Sequence, residues 1–153
     1  MKDITKFSPS QQSIDANYGI VYTSWNKKIV YSLLENTKQE LFSLGVNENN
    51  ISVMEVPGAF EIPLAAKSLA LNVDAVIALG AIVKGDTPHF DFIASSCAQG
   101  IVQASLDQNK PIIFGVLTTN NEEQALERSD ANRQNKGAEF ARSAMQMIEA
   151  LKF

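Results

Sequence analysis

The chain has 153 residues, 45% apolar and 20% charged, which fits one globular domain and excludes a disordered chain. Its 13 basic and 17 acidic residues give a net charge of -4, which argues against nucleic acid as the main partner because nucleic-acid-binding faces are basic. One cysteine and one histidine exclude an internal disulfide and an ordinary structural zinc site, although composition leaves carboxylate-bound Mg²⁺ open. No apolar run reaches the roughly 20 residues of a membrane span. The polar residues 1–17 resemble neither a signal nor a transit peptide, so we expect a cytoplasmic protein without a membrane partner.

Strands and helices alternate along most of the chain. Residues 1–16 are predicted to be an extended N-terminal arm and residues 17–153 a single α/β domain. Apolar runs predict strands at residues 18–23, 51–56, 74–83 and 111–117. Apolar residues at helical spacing predict helices at residues 27–44, after Pro57-Gly58 with Pro63 in the first turn, from about His89, at 121–128 and at 137–151. Gly45 is the predicted stop of the first of these helices.

This alternation predicts a parallel sheet covered by helices on both faces. With right-handed crossovers, the result is a three-layer α/β/α sandwich around four parallel strands. Ligands of such folds bind beyond the carboxyl ends of the strands. The segments at those ends are Trp25-Asn26, residues 57–60, residues 83–88 and Thr118-Thr119.

The loop of residues 84–89 joins a buried strand to a helix, and helix starts attract anions. Gly85 permits close approach of a ligand to the backbone, and Pro88 is tolerated in a first turn. In the alternative interpretation, Asp86 or Thr87 is a plain helix N-cap. A P-loop is rejected because the segment before Gly85 is strand-like rather than glycine-rich, and an Asp replaces the lysine and would repel phosphates.

His89 is the only histidine, so any histidine chemistry must use it. Imidazole exchanges protons near neutral pH, which suits general acid–base catalysis at a crevice-facing helix start. The alternative is a structural histidine. A Ser-His-Asp hydrolase is weakly supported, because the chain has no Gly-x-Ser-x-Gly elbow.

Five other residues stand at informative places. Arg128 and Lys136 flank a polar loop before the last helix, either as ligands or as a solvated surface. Glu139, one turn inside that helix, would ordinarily complement the helix dipole. Trp25 ends the first strand, where stacking on a ligand competes with plain packing. Cys97 lies on an apolar helix face and is expected to be an inert core residue.

Four motifs in order resemble the 6,7-dimethyl-8-ribityllumazine synthase family. They lie at residues 56–63, at 80–92 (which contain the run GDTPHF), at 111–119, and at 124–128 with 135–137. Any one of them alone would be weak, but their order and spacing hold from about Tyr18 to the last residue. The resemblance implies a flavodoxin-like fold.

The resemblance implies a condensation that needs no cofactor and no metal. The two small-molecule substrates would be 5-amino-6-(D-ribitylamino)uracil and 3,4-dihydroxy-2-butanone 4-phosphate, in riboflavin biosynthesis. The amine would form an imine with the ketone, phosphate would be eliminated, and the ring would close with loss of water. Much of the rate should come from holding the two substrates together.

Residue roles follow from the same resemblance. His89 would transfer protons, and Glu139 would orient His89 and favour its charged form. The phosphate group would be bound by Gly85, Asp86, Thr87 and Arg128. The pyrimidine ring and its ribityl chain would be bound by Trp25, Ala59, Phe60, Glu61, Ala81, Ile82, Phe114 and Lys136. Of these, Phe114 is expected from a neighbouring subunit.

The family assembles as pentamers and often as 60-subunit icosahedral shells, with sites between subunits. We therefore expect a homo-oligomer, either a pentamer or a 60-mer, with a riboflavin synthase as a candidate enclosed partner. The loop of residues 129–134 lacks the Gly-rich, Lys-containing character of shell formers but has their length, which favours the 60-mer. Sheet edges need cover, so a neighbour's N-terminal arm is expected to extend the sheet.

Three other functions compete with the synthase. An archaeal-type riboflavin synthase has no phosphorylated substrate, so the phosphate-binding equipment around Arg128 argues against it. A non-catalytic flavin- or lumazine-binding protein or shell would be favoured by loss of His89 or Arg128, and both are present. A generic FMN-binding module needs a longer phosphate loop after the first strand than residues 23–26 provide.

Overall fold

The computed structural model describes residues 6–151, so predictions for residues 1–5 and 152–153 lie outside the described part. In that part, four strands form one sheet: β1 Tyr18–Thr23, β2 Ile51–Val56, β3 Ala75–Val83 and β4 Ile112–Thr119. All neighbouring strands are parallel, in the order β2–β1–β3–β4. The predicted four-stranded parallel sheet is confirmed.

Six α-helices accompany the sheet within residues 6–151: α1 Gln11–Asp15, α2 Lys27–Ser43, α3 Ile62–Leu69, α4 His89–Gln108, α5 Glu122–Ser129 and α6 Lys136–Ala150. Short 3-10 turns at Glu48–Asn50 and Ala59–Glu61 precede β2 and α3. No helix in this range combines the length and apolar character needed to cross a membrane.

The ends of the elements follow local chemistry. Gly45 has a φ of 103°, and its N–H donates to the Phe42 carbonyl while the Val46 N–H donates to the Leu41 carbonyl. These two bonds form a Schellman motif and confirm Gly45 as the stop of α2. The strand β4 continues two residues beyond its predicted end, to Thr119, which is buried and pairs with Val83.

The sheet separates two apolar clusters, as the sandwich predicts. On one face, α2, α5 and α6 pack on side chains such as Ile20, Ile77 and Leu79. On the other face, α3 and α4 pack on side chains such as Val21 and Val76. Because strand side chains alternate between faces, this arrangement decides which residues of each strand can meet a given helix.

The described part of the N-terminal arm is not fully extended, contrary to the prediction. Gln11–Asp15 form α1, which packs against α6. The Glu149 carboxylate of α6 accepts hydrogen bonds from the Ser10 N–H and, at 2.8 Å, from the Ser13 hydroxyl. Tyr18, fully buried, donates to the Ser13 carbonyl at 2.6 Å. The long-range bonds to Glu149 and the local bond from Tyr18 stabilise a helix too short to form alone.

Candidate functional site

A cavity of about 380 Å³ opens beyond the carboxyl ends of β1, β2 and β3. It is lined by Thr23, Trp25, Asn26, Gly58, Ala59, Phe60, Glu61, Ala81, Ile82, Val83, His89 and Ile93. Seven predicted site residues are thus brought together: Trp25, Ala59, Phe60, Glu61, Ala81, Ile82 and His89.

A slightly larger cavity, of about 440 Å³, lies at the opposite end of the sheet. Its lining includes Asp15, Asp74 and Lys110 but none of the predicted site residues. Asp74 immediately precedes β3 and Pro111 immediately precedes β4, so this cavity lies at the amino ends of the strands. Ligands of open parallel sheets bind at the other end, so the smaller cavity is the candidate site.

The strand order explains why the smaller cavity opens where it does. The connection from β1 leads to β2 on one side, and β3 lies on the other, so the topological switch point is between β1 and β3. Their ladder ends at the pair Tyr22–Leu79. Beyond that pair the chain after β1 stays with β2, because the Ser24 N–H donates to Val56 and the Trp25 N–H to Pro57. A gap therefore forms between the ends of β1 and β3.

Trp25 forms one wall of this gap. Its side chain is 65% exposed. Its ring lies against the Gly58 backbone, since a Cβ built at Gly58 would be 2.4 Å from two ring carbons. The Gly58 N–H donates to the Glu61 carboxylate at 3.0 Å, which holds that carboxylate beside the ring. An exposed indole beside a hydrogen-bond acceptor suits a flat, polar-edged heterocycle.

His89 is the first residue of α4 and faces the cavity together with Ile93, one turn later. Pro88 occupies the N-cap position of α4. The alternative interpretation is that Asp86 or Thr87 caps the helix. The one such contact in the described part of the chain is between the His89 N–H and the Thr87 hydroxyl, at 3.4 Å. At that distance the cap is weak.

The loop before α4 is exposed beside the cavity but outside its lining. Gly85, Asp86 and Thr87 are all solvent-exposed. A Cβ built at Gly85 would meet no atom within 4 Å. Packing within this chain therefore does not demand glycine here, and the open space is available to a ligand or a second molecule.

Besides Gly85, Asp86 and Thr87, four further predicted site residues lie outside the cavity lining. The Arg128 guanidinium donates to the Gln124 carbonyl at 3.0 Å on α5. The Lys136 ammonium and the Glu139 carboxylate form an ion pair at 3.1 Å on α6, so Glu139 is paired with Lys136 and not with His89. Phe114 lies in the edge strand β4, opposite Ala78 and 40% exposed.

Five lining residues were missed as individual site residues: Thr23, Asn26, Gly58, Val83 and Ile93. Four of them lie in or next to the strand ends that the sequence pointed to. Ile93 follows His89 by four residues, which places both on one helix face. Helical spacing from His89 could therefore have identified it.

Two other observations bear on the chemistry. Burial raises the pKa of the Cys97 thiol to about 11, so it is a poor nucleophile, as predicted for a core cysteine. Among residues 6–151, no three His, Cys, Asp or Glu side chains are grouped so that they could hold a metal ion.

Comparison with known proteins decides the family. The family model described as 6,7-dimethyl-8-ribityllumazine synthase matches residues 15–152. The chain belongs to the lumazine synthase family. A 6,7-dimethyl-8-ribityllumazine synthase from Protochlamydia amoebophila (strain UWE25) is 49% identical over 136 residues, which cover 88% of this chain and 79% of that protein. The predicted membership of the lumazine synthase family, an enzyme family, is confirmed.

Proposed function

We propose that this lumazine synthase family member condenses 5-amino-6-(D-ribitylamino)uracil with 3,4-dihydroxy-2-butanone 4-phosphate. The products would be 6,7-dimethyl-8-ribityllumazine, phosphate and water. The observation that carries the proposal is the cavity at the switch point, where the Trp25 ring, the Glu61 carboxylate and the His89 imidazole line one volume. A flat pyrimidine with a hydroxylated side chain needs a stacking surface and acceptors, and an imine-forming reaction needs a proton carrier.

Each group in the cavity has a task. Trp25 stacks on the pyrimidine. Ala81 and Ile82, at the end of β3, form the apolar wall on the other side of the gap from Trp25. Glu61, held by the Gly58 N–H, accepts from ribityl hydroxyls and from the ring edge. His89 takes a proton from the attacking amine and returns it to the departing oxygen as the imine forms. Holding both substrates in this geometry supplies much of the rate.

The phosphate belongs beside the loop before α4. The exposed backbone of Gly85, Asp86 and Thr87 lies next to His89 at the start of a 20-residue helix, where partial positive charge accumulates. Arg128 is the proposed cation of this subsite, since a guanidinium binds phosphate through two parallel bonds. In the structure, the Arg128 guanidinium contacts the Gln124 carbonyl at 3.0 Å and the Glu127 carboxylate at 3.9 Å. A phosphate can replace both partners.

The direct test is enzymatic formation of the lumazine. Purified protein is mixed with both substrates, and lumazine absorbance and fluorescence are followed against a no-enzyme control that measures the unaided reaction. A rate proportional to protein concentration is expected. Pyrimidine binding without acceleration would contradict the proposal and favour a binding role, and conversion of lumazine alone to riboflavin would favour a riboflavin synthase.

We also infer that the site is completed by a second copy of the chain. The α3–α4 surface exposes six large apolar residues: Phe60, Leu64, Phe92, Val102, Leu106 and Phe114. Leu64 is 78% and Leu106 is 72% exposed, whereas the exposed apolar side chains on α2 and α6, Tyr31 and Met147, reach at most 40%. So much apolar surface on one side is typical of a protein interface.

Phe114 links this surface to the reaction. It lies between Ile112 and Val116, whose side chains pack with α3 and α4, so alternation puts Phe114 on the same face. It is paired with Ala78, three residues before Ala81 in β3, and is therefore too far down the sheet to line its own cavity. A neighbouring copy can instead place its Phe114 over the cavity of this one.

Co-expression of two inactive variants tests the shared site. One chain carries His89→Ala and the other carries Phe114→Ala. A site is intact when the cavity comes from the Phe114→Ala chain, which keeps His89, and the neighbouring Phe114 comes from the His89→Ala chain. Random mixing should restore about a quarter of wild-type activity. The control pair, His89→Ala with Trp25→Ala, removes two residues of the same cavity and should restore none. No restoration in the first pair would contradict the shared site.

Light scattering of the purified protein measures the mass of the homo-oligomer. With a chain mass of 16.7 kDa, a pentamer has about 84 kDa and a 60-mer about 1 MDa. We propose the 60-mer, because the loop of residues 129–134 has no insertion that would block packing of pentamers. A riboflavin synthase remains the proposed cargo, and its co-elution with the 1 MDa species is the expected result.

A further inference from the structure

Asn26 has an unusual conformation at the junction of β1 and α2. It adopts left-handed backbone angles, with φ 58° and ψ 46°, and its carbonyl accepts the first hydrogen bond of α2 from the Val30 N–H at 3.0 Å. An asparagine at a helix N-cap ordinarily uses its side chain to accept from the helix backbone. Here the side-chain amide instead donates to the carbonyl of Ala81 at 2.8 Å.

The Asn26–Ala81 bond crosses the gap from which the cavity opens. The β1–β3 ladder ends at the pair Tyr22–Leu79, so the Asn26 amide is a bridge between these strands beyond their last paired residues. On the other side, backbone bonds from Ser24 and Trp25 fasten the same turn to the end of β2. The turn that carries Trp25 is therefore held from both neighbouring strands.

The orientation of Trp25 depends on this turn. The indole lies in contact with the Gly58 backbone on one side and is open to the cavity on the other. It is 65% exposed, so few packing contacts hold its plane. The Thr23 hydroxyl donates to the Trp25 carbonyl at 3.2 Å, which is a weak local restraint. Asn26 follows Trp25 directly, and the hydrogen bond from its side-chain amide to the Ala81 carbonyl joins this turn to the opposite wall of the cavity.

From this geometry we propose that Asn26 is a positioning residue that sets the distance and angle between the Trp25 ring and the wall formed by Ala81 and Ile82. The proposal rests on the proposed function for the identity of the ligand, a pyrimidine stacked on Trp25. Asn26 controls the distance between the Trp25 ring and the Ala81–Ile82 wall. Without its amide, the turn stays attached to β2 through the Ser24 and Trp25 N–H groups but is released from β3. The ring then loses its fixed separation from the opposite wall.

The test replaces the amide while preserving the backbone. Asn26→Gly tolerates the left-handed conformation and removes the bond to Ala81. We expect the KM for the pyrimidine to rise about five- to ten-fold, with kcat and the KM for the butanone phosphate within about two-fold, because one hydrogen bond is lost on one side of the site. Trp25 is the only tryptophan, so its emission reports the same change directly. The anisotropy should fall and the emission maximum should shift to longer wavelength.

Two further variants separate positioning from stability. Asn26→Ala adds strain at positive φ and should show the same pyrimidine KM increase with a lower Tm. Asn50→Ala removes another side-chain amide bond to a backbone carbonyl, that of Asp15, on an exposed part of the surface away from the cavity, and should leave Trp25 emission unchanged. Unaltered Trp25 anisotropy in Asn26→Gly, or equal increases in both KM values, would overturn the proposal. If wild-type protein fails as a synthase, the anisotropy comparison still decides whether Asn26 positions Trp25.

Discussion

Apart from the exposed loop of residues 85–87, the predicted site residues fall into two groups that differ in how the chain presents them. The cavity group, which includes Trp25, Glu61 and His89, follows the ends of β1, β2 and β3 and lines one volume. The outlying group consists of Phe114, Arg128, Lys136 and Glu139 on β4, α5 and α6. Strand ends meet at one edge of a sheet because parallel strands share a direction, so one chain can build the first group alone.

The outlying group has a different physical character. Its charged members are half-exposed and paired with neighbours on their own helices, as Lys136 is with Glu139. Such surface pairs contribute at most about 1 kcal/mol each, so a ligand or a neighbouring copy can replace them. Residues of one reaction can therefore be spread over surfaces that meet only in an assembly.

The largest effect is expected in the cavity group, at His89. His89→Ala removes the proposed proton carrier and should lower kcat by about 10²- to 10⁴-fold. Pyrimidine binding, followed by quenching of Trp25 emission, should change little because stacking is retained. An unchanged rate would remove His89 from the mechanism.

In the outlying group, Arg128→Ala should raise the KM for the butanone phosphate about 10- to 100-fold, since a charge-assisted contact contributes about 1.5–3 kcal/mol. The KM for the pyrimidine should change little. Arg133→Ala is the matched control, because Arg133 is a similarly exposed arginine whose pair is Glu123 at 3.0 Å. Equal increases in both KM values for Arg128→Ala would show that this arginine does not bind phosphate.

Two glycines separate ligand binding from packing. Gly137→Ala should destabilise the fold by about 1–3 kcal/mol, because a Cβ there would be 2.7 Å from the Leu33 carbonyl oxygen. Gly85→Ala meets open space and should leave the Tm unchanged while raising the KM for the butanone phosphate. Thermal unfolding and substrate titration measure the two effects. A lower Tm for Gly85→Ala would mean that this glycine serves the fold.

The smallest effect concerns Cys97, which is buried on the inner, apolar side of α4. Because burial raises its pKa to about 11, the thiol stays neutral in the folded protein near pH 8, and alkylation by iodoacetamide should be slow until the protein unfolds. The stabilising contribution of the neutral thiol is complete below its ordinary pKa of 9.0 and is lost as pH rises through about 11. Rapid alkylation of folded protein at pH 8 would contradict this.

Apolar runs and helical spacing located the two strands of one half of the sheet and the two longest helices of one face closely, although β1 is buried and β2 is partly exposed. The strands β1 and β2 have the predicted bounds, α2 ends one residue earlier than predicted, and α6 begins and ends one residue earlier than predicted. The helix α1 was missed because five residues are too few for a helical period, and its stability comes from Glu149, 136 residues beyond Ser13. No local pattern carries that information.

The sequence by itself determined the fold class and the family, and it predicted a site at the strand ends, because these depend on local apolar spacing and on motifs. Only the tertiary structure decided which residues share the cavity, since the strand order β2–β1–β3–β4 sets where the gap opens. It also decided that the Asn26 amide bonds to Ala81 and that the Glu149 carboxylate accepts from Ser10 and Ser13. The physical reason is distance: these contacts join side chains to partners whose positions depend on the packing of the whole sheet.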